Sequence, residues 1–268
     1  MLTQEALEQL NRKKARRWLL YAVGWFPAII IAALVPVIKI PLTILVIIGG
    51  PILVWIIFIK DKNANRLTLS YDPSLAEDAN YLKLMEAFAG VAKSQKIHEQ
   101  TSSKNITQQE SKRNAGAGSL VSRKSAGAVV GNVIGFLSKI HLNIKVFGFQ
   151  TSPPLYFLPD CMITRISGQW LRLEYSDVQI KARTQDFIED GFFIPKDAPV
   201  VGQTWKYVNK SGGPDKRMKD NKQIPVLRYD FLEISVGNKY QESIYCSAPG
   251  CAEPFAQALL AYKQATQL

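Results

Sequence analysis

The residues best suited to chemistry lie between Thr204 and Gln223, in the stretch TWKYVNKSGGPDKRMKDNKQ. Lys206, Lys210, Lys216, Arg217, Lys219 and Lys222 stand there against Asp215 and Asp220, a local net charge of +4. Ser211-Gly212-Gly213-Pro214-Asp215 demands a sharp turn, because glycine frees the backbone and proline fixes it. A glycine turn among cations can hold an anion with backbone N–H groups and side-chain charge together. The candidate anion site is therefore Lys210, Gly212, Gly213, Lys216, Arg217 and Lys219, with a phosphate or a lipid headgroup as ligand. The plain alternative is a solvated loop joining two strands. The spacing is not that of a phosphate-binding P-loop, which needs G-x-x-x-x-G-K-[ST].

Other chemistries find less support. The acidic residues Asp160, Glu174, Asp177, Asp186, Glu189, Asp190 and Asp197 could supply an acid/base pair or a metal site. Pro159-Asp160 followed by Glu174 approaches a nuclease pattern ending in E-x-K, but Ser176 stands where the lysine is needed. No G-x-S-x-G elbow occurs, and His98 and His141, the two histidines, have no recognisable local partner. Cys161, Cys246 and Cys251 lack the paired spacing of a zinc site or a disulfide framework, and read as reduced structural thiols. The sequence thus yields no catalytic residues, no metal ligands and no cofactor motif. It favours a binding or scaffolding module over an enzyme. The alternative is a hydrolase of a phosphorylated or nucleic-acid substrate, which would need carboxylates such as Asp160, Asp177, Glu189, Asp190 and Asp215 to converge beside Lys216 or Arg217.

Charge and hydropathy are unevenly spread. Of the net charge of +11, +6 falls within residues 1–66. Trp18–Ile59 contains one charge, Lys39, in 42 residues. As helix that stretch would be roughly 63 Å long, about twice a ~30 Å hydrocarbon core. Pro36, Lys39 and Pro41 mark a turn, so the expectation is a transmembrane hairpin at 18–60, with helices of about 18–36 and 41–60. Arg12, Lys13, Lys14, Arg16 and Arg17 on one flank, and Lys60, Lys62 and Arg66 on the other, place both termini in the cytoplasm of a multi-pass inner-membrane protein. Residues 1–17 read as a short basic amphipathic helix. The partners so implied are the lipid bilayer, anionic headgroups or a protein. Nucleic acid is disfavoured, because the basic excess does not sit on the folded domain.

The remainder reads as α+β. Leu75, Ala79, Leu82, Met85, Phe88 and Ala89 recur at helical spacing to about Ala92, and Lys96–Gln100 suits a short strand, giving a unit at 67–100. Residues 101–128 are rich in Ser, Lys, Gln, Gly and Asn without apolar period and read as a flexible loop. Residues 129–268 read as a β-rich domain. Its strand candidates are Leu142–Phe149, Leu155–Phe157, Cys161–Ile166, Trp170–Tyr175, Val178–Ala182, Thr204–Val208, Ile224–Tyr229, Phe231–Val236 and Ser243–Cys246, with Phe192–Ile194 after the Glu189-Asp190-Gly191 turn. Glu253–Thr266 closes the chain as an amphipathic helix. Mainly antiparallel strands followed by one helix resemble the pleckstrin-homology-like architecture.

Three segments carry a further resemblance: SKRNAGAGSLVSR at 111–123, PPLYFLPD at 153–160, and the run from Asp186 to Val226 that includes TWKYVNKSGGPDKR. Together they resemble an uncharacterised family of bacterial proteins. The resemblance implies that residues 75–262 form one unit with 101–128 as an internal loop, and it implies no catalytic residues.

Overall fold

The computed structural model describes residues 2–11, 52, 55–56, 59, 67–134, 140–191 and 193–267. Two six-stranded sheets, mostly antiparallel, are capped by helices. The first is the meander β4 (Ala128–Ile134), β5 (Ile140–Phe149), β6 (Leu155–Phe157), β7 (Met162–Ile166) and β8 (Gln169–Leu173), with β1 (Leu67–Leu69) parallel to the start of β5. The second is built on the long β11 (Gln223–Val236). β9 (Val178–Ile188) lines one edge of it, and β10 (Val200–Trp205) and β12 (Tyr240–Cys246) share the other. Beyond β12 come β2 (Ile97–Asn105) and β3 (Ser119–Ala126). The chain passes between the sheets at Gly127, whose carbonyl accepts from the Gln150 N–H at 2.7 Å.

Two helices supply the main core. α3 (Ala79–Ala92) follows α2 (Pro73–Ala76), with Asp78 capping α3 by accepting from the Asn80 N–H. Tyr81, Leu84, Phe88 and Val91 fall on one stripe of α3 and are buried. α5 (Ala252–Ala265) contributes Phe255, Ala256, Leu259 and Tyr262. The Phe88 ring lies 4.9 to 6.3 Å from those of Phe147, Phe149, Phe157 and Phe255, so it sits at the centre of the core. Gly148 is required where β5 meets β6, because a Cβ there would approach the Leu155 carbonyl to 2.3 Å.

Strand alternation divides β11 between two cores. Leu232, Ile234 and Val236 face the helices, whereas Leu227, Tyr229 and Phe231 join Tyr245 and Ala198 in a separate cluster on the other face. A third cluster forms where α1 (Gln4–Asn11) brings Leu2 and Leu7 onto Trp170, Tyr156 and Ile163 of the first sheet.

Four expectations need correction. Among the described residues no helix is long and apolar enough to cross a membrane. The longest have 14 residues, roughly 21 Å, with one face packed on a sheet. The expected hairpin at 18–60 lies outside the described residues apart from Ile52, Trp55, Ile56 and Ile59, which are helical. A multi-pass inner-membrane location is therefore not supported, and that assignment and its topology are withdrawn. Residues 101–128 are not a flexible loop: they hold most of the β2–β3 hairpin, with α4 (Gln108–Arg113) at its tip, closed by a Thr107–Glu110 capping box. Beyond Gln100 the β2 half of this arm is exposed, and β3 alternates only between half-buried and exposed positions, so the arm lacks the strong apolar alternation that marks a strand. The expected strands Ile224–Tyr229 and Phe231–Val236 are one strand, with Asp230 in register opposite Thr184 and Cys246. Phe193 and Ile194 lie outside any strand and are exposed.

Candidate functional site

The basic loop after β10 is held by its own side chains. Asn209 Oδ1 accepts from the N–H groups of Ser211 and Gly213 at 2.9 and 3.0 Å and from the Ser211 hydroxyl at 2.8 Å. The Gly212 N–H donates to the Asn209 carbonyl at 3.2 Å. The amides that an anion would use thus already have an acceptor, and Asn209 occupies the place of the anion. Arg217 forks onto Asp215 at 2.9 and 2.7 Å, and that guanidinium holds the Asp215 carboxyl down at about 2. Asn221 clamps the Tyr207 backbone through its N–H and its carbonyl. Lys210, Lys216 and Lys219 point to solvent and make no ion pair among the described residues. The structure brings the six candidate anion-site residues into one turn without leaving donors aimed at a common point.

The acidic residues do not converge either. Asp160 accepts from Tyr71 Oη at 2.7 Å, the Leu2 N–H at 2.7 Å and Arg172 Nη1 at 3.1 Å. Burial would raise its carboxyl, but these donors and the Arg172 charge outweigh it and leave it below the usual range. Its work is to pin α1 to the first sheet. Asp190 bridges Lys206 and Lys222, each at 3.0 Å. Among the described residues, no three His, Cys, Asp or Glu side chains gather as a metal ion would require. Cys161, Cys246 and Cys251 are buried free thiols.

Two carboxylates do meet on the second sheet. Glu99, buried, accepts from the Ser152 N–H and pairs with Lys124 at 3.3 Å. Burial and the Glu99 charge push neighbouring Glu242 up to about 7. Lys124 also donates to the Ser152 hydroxyl at 2.6 Å, and among the described residues no histidine or cysteine joins the pair as a metal site would require.

The concave feature lies elsewhere. A cleft of about 400 Å³ opens between the β2–β3 arm and β9, lined by residues 117–121, residues 185–188, Arg113, Arg123, Lys206 and Ile224. Its floor is a guanidinium laid on aromatic rings: the centre of Arg123 is 4.3 Å from the Phe187 ring and 5.6 Å from that of Tyr229. Arg123 Nη2 pairs at 2.8 Å with Glu189, which is 5% exposed and also accepts from Tyr229 Oη at 3.0 Å. Arg123 Nη1 has no acceptor among the described residues, although no water can reach it. Burial, with the Arg123 and Lys96 charges, holds the nearby His98 imidazole below its usual value, so it stays neutral at pH 7.

Charge around the cleft is unbalanced. Asp186 is forked by Arg228 at 2.7 and 3.0 Å, Asp190 is shared by Lys206 and Lys222, and Glu189 is shared by Arg123 and Lys96. Of the charged residues that line the cleft, Arg113, Arg123 and Lys206 stand against Asp186 and Asp190, a net +1, and Arg113 makes no ion pair among the described residues. Sequence reasoning reached only Lys206 and Lys222 of the cations around the cleft. Arg113 and Arg123 were visible in SKRNAGAGSLVSR, but a segment read as a loop gives no reason to set Arg123 over Phe187. No family model, curated protein or solved structure matches this chain.

Proposed function

We propose that this chain is a non-catalytic binding module whose ligand seats an anionic group in the cleft between the β2–β3 arm and β9. The carrying observation is a concave site with a cation–aromatic floor, whose lining cations Arg113, Arg123 and Lys206 outnumber its carboxylates Asp186 and Asp190. Small-molecule and peptide sites are concave, mostly apolar and marked by a few convergent polar groups. The dispersal of Asp160, Asp190 and Asp215 into separate ion pairs favours binding over hydrolysis. A sheet closed by a terminal helix, as in pleckstrin-homology-like folds, suits the same role. The membrane tether is no part of this reading, and a protein partner fits it.

The test uses an aromatic anion, 8-anilinonaphthalene-1-sulfonate, titrated into the full-length chain while backbone amide resonances are followed. Shifts should concentrate at residues 117–121 and 185–188. Leu120→Trp, at an exposed position on the lip, should weaken them about tenfold without lowering the melting temperature. Shifts confined to other surfaces, or unchanged by that variant, would remove the cleft from consideration.

A further inference from the structure

The cleft is bordered by strand edges, not only by side chains. Three consecutive residues of β3, Ser119–Val121, with Ala117 and Gly118 just before them, and four of β9, Gln185–Ile188, line it. In a strand, alternate side chains point to opposite faces, so a wall made of consecutive residues presents its main chain. Among the described residues β3 pairs only with β2, and β9 pairs only with β11. Among the described residues no backbone hydrogen bond joins β3 to β9. They are the two ends of the second sheet, curled until Arg123 of β3 reaches Glu189 and Phe187 just beyond and within β9.

Such edges carry rows of unpaired N–H and C=O groups and template the addition of another strand. Natural edges are guarded by charge, and here the guards are mixed with a positive excess: Arg123 and Lys124 on β3, and Lys181, Arg183 and Asp186 on β9. They discourage a basic or a self-complementary strand and favour an acidic one. At ~3.3 Å per residue, the four lining positions of β9 match roughly 13 Å of extended chain.

We infer that the cleft receives an extended acidic peptide segment of a partner protein, which adds as a strand to the free edge of β9. This rests on the cleft being the ligand site and names the class of ligand. Main-chain pairing with Gln185–Ile188 supplies affinity, and Arg113, Arg123 and Lys206 select carboxylate side chains, the division of labour of strand-addition complexes. An acidic side chain directed at the floor meets the exposed part of the Arg123 side chain, 17% of it, beside the Phe187 ring.

The experiment titrates three acetylated, amidated peptides into the full-length chain, observing the same amides. The first alternates Thr and Glu over about eight residues, enough to cover the four β9 positions and the flanking turn. The second is identical but N-methylated at every second residue on the edge that would pair. The third replaces each Glu by Lys. The Thr/Glu peptide should shift residues 185–188 and slow their hydrogen exchange, and each of the other two should bind about tenfold more weakly or worse. Equal binding by the N-methylated peptide would overturn strand addition while leaving an anion site. Equal binding by the Lys peptide would overturn the acidic preference. If no peptide binds but the sulfonate still shifts the cleft, the peptide inference fails alone; if neither binds, the cleft reading fails with it.

Discussion

Two basic regions lie side by side, and they handle charge in opposite ways. The loop from Tyr207 to Asn221 is the most cation-dense stretch of the domain, yet its turn is closed internally: Asn209 accepts the glycine-turn amides and Asp215 takes Arg217. The neighbouring cleft draws its cations from distant segments, half-buries one of them on aromatic rings, and leaves Arg113 without an ion pair among the described residues. Exposed charges that neutralise one another locally are worth little to a ligand, because water and salt already screen them. A partly dehydrated cation beside a concavity keeps its field. The density of charge in sequence is therefore a poorer guide to a binding site than its burial and its partners.

The sharpest way to break this comparison is Arg123→Met. It would leave Glu189 buried with Tyr229 as its close partner, since Lys96 is 3.9 Å away. Removing one member of a buried pair costs about 3–5 kcal/mol, read as a shift of the urea midpoint. The double variant Arg123→Met with Glu189→Gln should recover most of that loss. If Arg123→Met alone is nearly neutral, the guanidinium is not the buried, structurally committed group described above.

Asn209→Ala tests the other side. It removes the acceptor of two backbone N–H groups and one hydroxyl in an exposed turn. Such a loss should cost about 1 kcal/mol, with faster hydrogen exchange confined to residues 211–213. It should not change sulfonate binding at the cleft. If inorganic phosphate restores the turn in this variant, the loop is a latent anion site and the contrast between the two regions weakens.

The smallest effect is expected at Glu242, where charge is compensated by neither burial of a partner nor solvent alone. Its carboxyl is raised from 4.5 to about 7 by burial and by Glu99, so the folded state binds the proton more tightly than the unfolded chain. Stability from this group is then complete at pH values below about 4.5 and is lost as pH rises through about 7. Lys124 and the Ser243 N–H limit the loss. Glu242→Gln should therefore raise the melting temperature at pH 8 by about 3 °C, on the order of 1 kcal/mol after allowing for its half exposure, and leave it unchanged at pH 4. An equal gain at both pH values would show a packing effect instead of a titration.

Much of the fold was legible because local patterns matched local structure. The Leu155–Phe157 strand was read with its bounds, the helix ending the chain was read within one residue at each end, and the stripe through Phe88 was read as a helix. Periodicity sufficed there because each element buries one face. The β2–β3 arm was missed because β2 is exposed beyond Gln100 and the half-buried face of β3 sets Ser119 and Arg123 beside Val121, which shows no apolar period. The aromatic floor was missed because Arg123, Phe187 and Tyr229 lie far apart in the chain and are joined only by sheet curvature.

By itself, the sequence determined the secondary-structure class, the strand-rich domain with its closing helix, and the Ser211–Asp215 turn, since these follow from side-chain period and backbone freedom within a few residues. Only the tertiary structure decided which charges are neutralised and which are not. Asn209 fills its own turn, while β3 and β9, the two ends of one sheet, curl together and carry an arginine onto a phenylalanine sixty-four positions away. The net charge of a site is a sum over neighbours in space, and neighbours in space are what a one-dimensional pattern does not contain.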